Sequence, residues 1–440
     1  MRAIAIGTVP WPTYAPSASA ARLLGRSGTS LMVVAGLLSV LGMSAVAATE
    51  NDWQDCTGRD PERIVAGCTN VVQDAAETVT RRVRGYNNRG LAYFNRKDYE
   101  RAIADYSEAI ALNPKSAWAF AHRGQAHFAK SEHDLSIADH SEAIKLDPKY
   151  AWAYRNRGLA YFNKKDYEHA IADYDDAIRL DPKGAWAYAH RGQVWAWKGE
   201  FDTAIADLSE AIGLDPKYAW AFGQRGYAYF RQKLVTRKGD YDLAIADYSE
   251  AIKLDAKWVW AHSSRGFAYR NKHDLEHAIP DCSEAIRLDP NFGDGYNCRG
   301  SAYYDKKDFG RAIADYSEAI RLDPKDGAAH WNRGNAYRDQ GNYDRAIQDY
   351  DQAIKINPRD FLAFNSRGKA YLAKGDSNHA IADYSEAITL NPKYVDAYDN
   401  RGLAYKAMGR KADAIADFRK AMSIDPADQT SKDQLRRLGG

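Results

Sequence analysis

The chain has 440 residues, 45% hydrophobic and 27% charged, with a formal net charge of +2. That supplies a sizeable core and exceeds the length of one ordinary globular domain, so a modular fold is expected. Near-neutral charge argues against nucleic acid as a partner, because phosphate backbones select basic surfaces.

Residues 1–47 are the first predicted element. They contain the long apolar run LMVVAGLLSVLGMSAVAA (31–48), preceded by Arg22 and Arg26. Ala45-Val46-Ala47 supplies small residues before a cleavage point. The segment reads as a secretory signal, with export to a bacterial periplasm. The alternative is an uncleaved single-span anchor, and membrane association is expected only in that case. Residues 1–47 hold three arginines and no acid, so a processed chain stays close to neutral.

Residues 48–82 come next. Cys56 and Cys68 lie 12 apart, which in an exported chain suggests a disulfide. PERIVAGCTNVV (61–72) aligns with YERAIADYSEAI (99–110), so this segment reads as a degenerate half-repeat with Cys68 in an aromatic slot.

From 83 to 428 an Arg-Gly pair recurs every 34 residues, except for one spacing of 40. Ten units result, beginning at Val83, Ala117, Ala151, Ala185, Ala219, Val259, Gly293, Gly327, Phe361 and Val395. Each unit predicts two amphipathic helices. The first runs through RGxAY, a polar turn follows, and the second carries AIADYSEAI. A proline such as Pro148 or Pro182 ends the second helix, because the residue before proline disfavours the helical conformation. Gly fills the eighth slot of every unit and Ala the twenty-seventh. Ala fills the twentieth in nine, with Ser136 the exception. Small residues at fixed slots predict close helix contacts, and units too small to fold alone predict a stacked solenoid. Six extra residues near 233–238 enlarge the fifth unit, as a contact loop or as added helix. Residues 429–440 predict a short capping helix with Leu435 and Leu438 facing the last unit.

Tyr154, Gly158, Tyr161, Ala170, Tyr174, Ala177 and Pro182 carry the spacing of one unit. On these residues the chain resembles the tetratricopeptide repeat (TPR) family over about 83–428. The resemblance implies an all-α, right-handed solenoid of about ten helical hairpins. It also implies a concave face, lined by first helices, that holds peptides or partner proteins.

Two features depart from the family pattern. Arg precedes the Gly in all ten units, where the family usually has a leucine-like residue. Asp precedes the aromatic slot of every second helix. The coincidence predicts a structural ladder of guanidinium–carboxylate pairs, including Arg123, Arg157 and Arg191 with Asp139, Asp173 and Asp207. Arg157 would meet either Asp173 in its own unit or Asp139 in the preceding one.

Slots two, five, nine and thirteen of the first helix share one face. Trp118, Trp152, Trp186, Trp220 and Trp260 occupy slot two in five successive units, and Trp197 occupies slot thirteen. They are candidates for a ligand groove binding an extended peptide or, alternatively, a glycan. The competing reading is that indoles fill gaps between neighbouring first helices. A basic-and-Asn carboxylate clamp known in the family is not expected, since Leu159, His190, Trp220 and Gln224 interrupt its pattern.

Catalysis is not expected. The nucleophile-elbow, phosphate-loop and dinucleotide motifs are missing. His273 and His277 have helical spacing but straddle a predicted turn, so no metal or cofactor is expected. Cys282 and Cys298 lie on helices expected to neighbour each other, as a second bridge or as two buried thiols. The sequence predicts a non-enzymatic protein-interaction scaffold of the cell envelope. Glycan binding in polysaccharide export or wall assembly is the alternative.

Overall fold

A computed structural model describes residues 47–236 and 239–439, so the expected signal segment lies almost wholly outside the described residues. Among the described residues there are 23 helices and no strand. They form an all-α solenoid of consecutive helical hairpins, in two compact units. One ends at Ala228 and the other begins at Tyr229, inside helix Ala219–Thr236.

The hairpin of the third repeat shows how the sequence builds every unit. Its first helix spans Ala151–Asn163 and its second Tyr167–Leu180. Asp166 caps the second helix by accepting a hydrogen bond from the His169 amide. Asp181, just before Pro182, turns to φ −134° and ψ 81° and ends that helix. Between the helices Lys165 adopts φ 63°. Lys97, Ser131, His273 and Lys307 repeat this left-handed conformation, while Gly199, Gly341, Gly375 and Gly409 supply it without side-chain strain.

The helices of a hairpin touch through Gly158. A Cβ there would lie 2.8 Å from Tyr174 Cε1, closer than packed carbon atoms tolerate. Tyr174, Ala170 and Ala177 are buried beneath that contact. Each second helix also packs on the first helix of the following hairpin, and successive first helices touch each other. Apolar area is thus buried within each hairpin and against its neighbours, the condition for a nearest-neighbour stack.

The extra residues of the fifth repeat lengthen its first helix. It runs over 18 residues, Ala219–Thr236, whereas the corresponding helix of the third repeat has 13. The second helix keeps the usual 14, Tyr241–Leu254.

Helices Glu50–Cys56 and Pro61–Gln73 precede the first full hairpin, with Cys56 and Cys68 at disulfide distance and Cα atoms 4.5 Å apart. At the far end, helix Gln429–Leu438 sets Leu435 against Phe418 and Ala414.

Candidate functional site

The recurrent arginine lies in the seam between hairpins. Arg157 donates from Nε and Nη2 to the two carboxylate oxygens of Asp173, at 2.9 and 2.7 Å. The partner is therefore the aspartate of its own unit. The same two-bond pairing joins Arg89–Asp105, Arg123–Asp139, Arg191–Asp207, Arg265–Asp281, Arg299–Asp315, Arg333–Asp349, Arg367–Asp383 and Arg401–Asp417. The aspartates are buried, with Asp173 4% exposed. Burial is the largest influence and opposes the charge of Arg157, but hydrogen bonding to Asp173 together with the attraction of its carboxylate charge outweighs it and raises the pKa above the usual arginine value.

A third contact was not anticipated from sequence. Arg157 Nη1 donates to Ser141 Oγ, 3.0 Å away on the second helix of the preceding hairpin. All ten arginines do the same, to Thr69, Ser107, Ser141, Asp175, Ser209, Ser249, Ser283, Ser317, Asp351 and Ser385. Each guanidinium that carries both kinds of contact thus ties three helices together. The signal was present: a hydroxyl or carboxylate recurs two residues after each aspartate. The tenth unit, with no hairpin after it, has Arg419 there. Thr69 fills this slot in the helix before the first full hairpin, in the register assigned to the half-repeat.

In the N-terminal unit the first-helix face is aromatic. His122 stacks between Trp118 and Trp152, with centroids 3.6 and 4.9 Å away. His190 lies likewise between Trp186 and Trp220, at 3.5 and 4.4 Å. The Arg155 guanidinium sits 4.5 Å over the Trp186 ring. Trp118, Trp152 and Trp186 are half-buried and Trp220 is 6% exposed. Indoles therefore pack between successive first helices, and Trp220 keeps little surface for a ligand. Trp197 differs: it is 44% exposed, with an edge contact to Phe162. Burial lowers the pKa of His190 to about 3, so the stack holds a neutral imidazole.

In the C-terminal unit the same face is polar. Trp260 is 5% exposed, edge-on to Tyr248, and the following slots hold Asp294, Ala328, Leu362 and Asp396. Arg270 pairs with Asp305 of the next hairpin at 2.6 Å. Tyr304 and Arg338 both donate to Asp339, and Arg338 and Tyr350 both donate to Asn335 Oδ1. Cys282 and Cys298 are at disulfide distance, joining adjacent hairpins with Cα atoms 5.6 Å apart. Gly266 accommodates them, since a Cβ there would lie 2.6 Å from the Cys282 sulfur.

His273 occupies the left-handed turn position, and His277 bonds Asp274 within the first turn of its helix. Among the described residues no group of three or more His, Cys, Asp or Glu side chains could hold a metal ion. No helix among them is long and apolar enough to cross a membrane.

Family models described as "TPR repeat" match residues 124–165, 197–233, 234–273, 300–337, 334–375 and 368–409. Models described as "Tetratricopeptide repeat" match 83–116, 151–183, 259–292 and 395–428. No curated protein matches the chain. Among solved structures, the fold is similar to the anaphase-promoting-complex hetero-tetramer Cut9–Hcn1, with a TM-score of 0.50 and 14% identity over 86% of this chain and 84% of that one. A tetratricopeptide repeat protein from Parabacteroides merdae has a TM-score of 0.46 and 21% identity over 58% of this chain and 99% of its own. The family models span well over half the sequence on the hairpins described above, and the chain belongs to the tetratricopeptide-repeat family, whose solenoids serve as protein–protein interaction scaffolds.

Proposed function

We propose that the protein is a non-enzymatic scaffold of the cell envelope that binds an extended peptide segment of a partner along its first-helix face. The observation that carries this reading is Trp197. It is a large aromatic side chain, 44% exposed, on a face whose other indoles are partly or wholly packed. Aromatic side chains anchor protein interfaces because they bury large area at low entropic cost. Two cysteine pairs at disulfide distance suit an oxidising compartment.

The test is selection of 12-residue peptides on immobilised residues 48–440, followed by affinity measurement on Trp197→Ala. Selected peptides should bind that variant about ten-fold more weakly, or roughly 1.4 kcal/mol. Peptides that bind Trp197→Ala as tightly as wild type would show that the partner does not use the aromatic face. Soluble oligosaccharides that displace them and quench Trp197 fluorescence would replace the peptide by a glycan.

A further inference from the structure

At the slot that carries indole in five earlier repeats, the seventh repeat has Asp294, flanked by Gly293 and Gly295. The following repeat has Ala328 in that slot. A ring that would pack the seam is thus replaced by a carboxylate and a methyl group. The Asp294 backbone carbonyl accepts from Ser263 Oγ, but its carboxylate has no hydrogen-bond or ion-pair partner among the described residues, although the residue is half-buried at the start of helix Gly293–Asp305. One turn on, Asn297 is 8% exposed and donates its amide Nδ2 to Asp326 Oδ2 at 2.7 Å. Its Oδ1 is buried without a donor. The reverse amide orientation would set that oxygen against the Asp326 carboxylate, so the orphan oxygen is fixed by its neighbour.

The local balance is one-sided. Asp326 accepts from the Ala329 amide and from Asn297, and Asp323 accepts from the Lys325 amide. Burial, then Asp326 and Asp323, push the Asp294 carboxyl up to about 7. No basic side chain enters that balance. Acceptors are in excess and donors are missing, whereas Arg270–Asp305 and Arg338–Asp339 on the same face are paired. Buried polar atoms without partners are uncommon, and here the Asn297 oxygen is one, beside the unpartnered Asp294 carboxylate.

We propose that Asp294, Asn297 and Asp326 form a subsite for a basic side chain, the ammonium of lysine or the guanidinium of arginine, on a peptide held against the first-helix face. Such a group brings the positive charge and the several N–H donors that the three residues lack. The subsite rests on the peptide-binding reading and adds a side-chain preference to it. Among the described residues these carboxylates do not come together as a group of three that could hold a metal ion, which favours a side-chain cation.

The experiment titrates residues 48–440 with a fluorescein-labelled acetyl-Gly-Lys-Gly-Lys-Gly-Lys-Gly-amide at low salt, reading anisotropy. Asp294→Asn should bind about ten-fold more weakly. Glu386→Gln, an exposed carboxylate on a second helix, should bind like wild type. The unliganded Asp294→Asn protein should melt no lower than wild type, because it loses an unpartnered carboxylate, and that separates a binding loss from misfolding. Equal weakening in both variants would reduce the effect to diffuse charge and overturn the subsite. Calcium that raises the melting temperature of wild type alone, without lysine-peptide binding, would also overturn it in favour of a metal. If the selected 12-residue peptides bind while the lysine peptide does not, the subsite fails and the scaffold reading stands. If neither binds, both fail.

Discussion

Arg157 illustrates what a charged residue does inside a helical seam. Its guanidinium meets Asp173 through two bonds and Ser141 through one, with the aspartate almost wholly buried. Replacing it by leucine leaves a buried carboxylate unpaired, so Arg157→Leu should cost about 3–5 kcal/mol in chemical denaturation. Ser141→Ala removes only a neutral acceptor and should cost about 1 kcal/mol. A loss for Arg157→Leu as small as that of an exposed substitution would refute the ladder. His140 tests the opposite case. It fills the slot that holds Tyr174 in the next unit, is fully buried, and neither ring nitrogen has a partner. Burial, then Arg157 and His122, depress its pKa to about 3. The unfolded state therefore takes up a proton between about pH 6.5 and 3 that the folded state refuses. Stability from this group is complete above pH 6.5 and falls by about 1.4 kcal/mol per unit as pH drops. His140→Phe should stabilise the protein by about 1–3 kcal/mol at pH 7. Its advantage over wild type should widen at pH 5, and melting curves showing a constant or shrinking gap would contradict this.

The hairpin turns and seams show which local features matter. Lys165 sits at φ 63° in a turn where four other units use glycine. Lys165→Gly should raise stability by about 1 kcal/mol, because it relieves the left-handed backbone strain. A lowered melting temperature would mean that the lysine side chain makes up for that strain. The neighbouring lysines form a second series. Lys130, Lys198 and Lys306 reach Glu100, Glu168 and Glu276 of the preceding second helix. These glutamates are mostly exposed, so each pair adds little beside the buried arginine network. Much of the hairpin was legible in sequence: the period, the prolines that end second helices, and the glycine that admits Tyr174. The partner of Arg157 was not legible, since aspartates before and after it fit equally until the packing of hairpins is known. The serine contact went unread because a serine on a helix surface is ordinarily solvated. Trp220 and Trp260 read as groove residues because face geometry ignores what the preceding helices bring. His190 closes over Trp220, while Trp260 packs edge-on against Tyr248.

At the scale of the molecule, each compact unit is held by contacts between neighbours, so stability accumulates hairpin by hairpin and depends on ends that are covered. Cys68 and Thr69 in helix Pro61–Gln73 and Leu435 in helix Gln429–Leu438 supply those covers. On the proposed reading, the first-helix face receives the partner while the second helices serve as scaffold. Leu135, on second helix His133–Leu146, is 52% exposed, close to the 44% of Trp197. The most direct measurement is hydroxyl-radical footprinting of residues 48–440 with and without a selected peptide. Trp197 should be protected, with Leu135 unchanged. Protection of Leu135 with Trp197 still fully reactive would contradict that reading and move the partner to the opposite face.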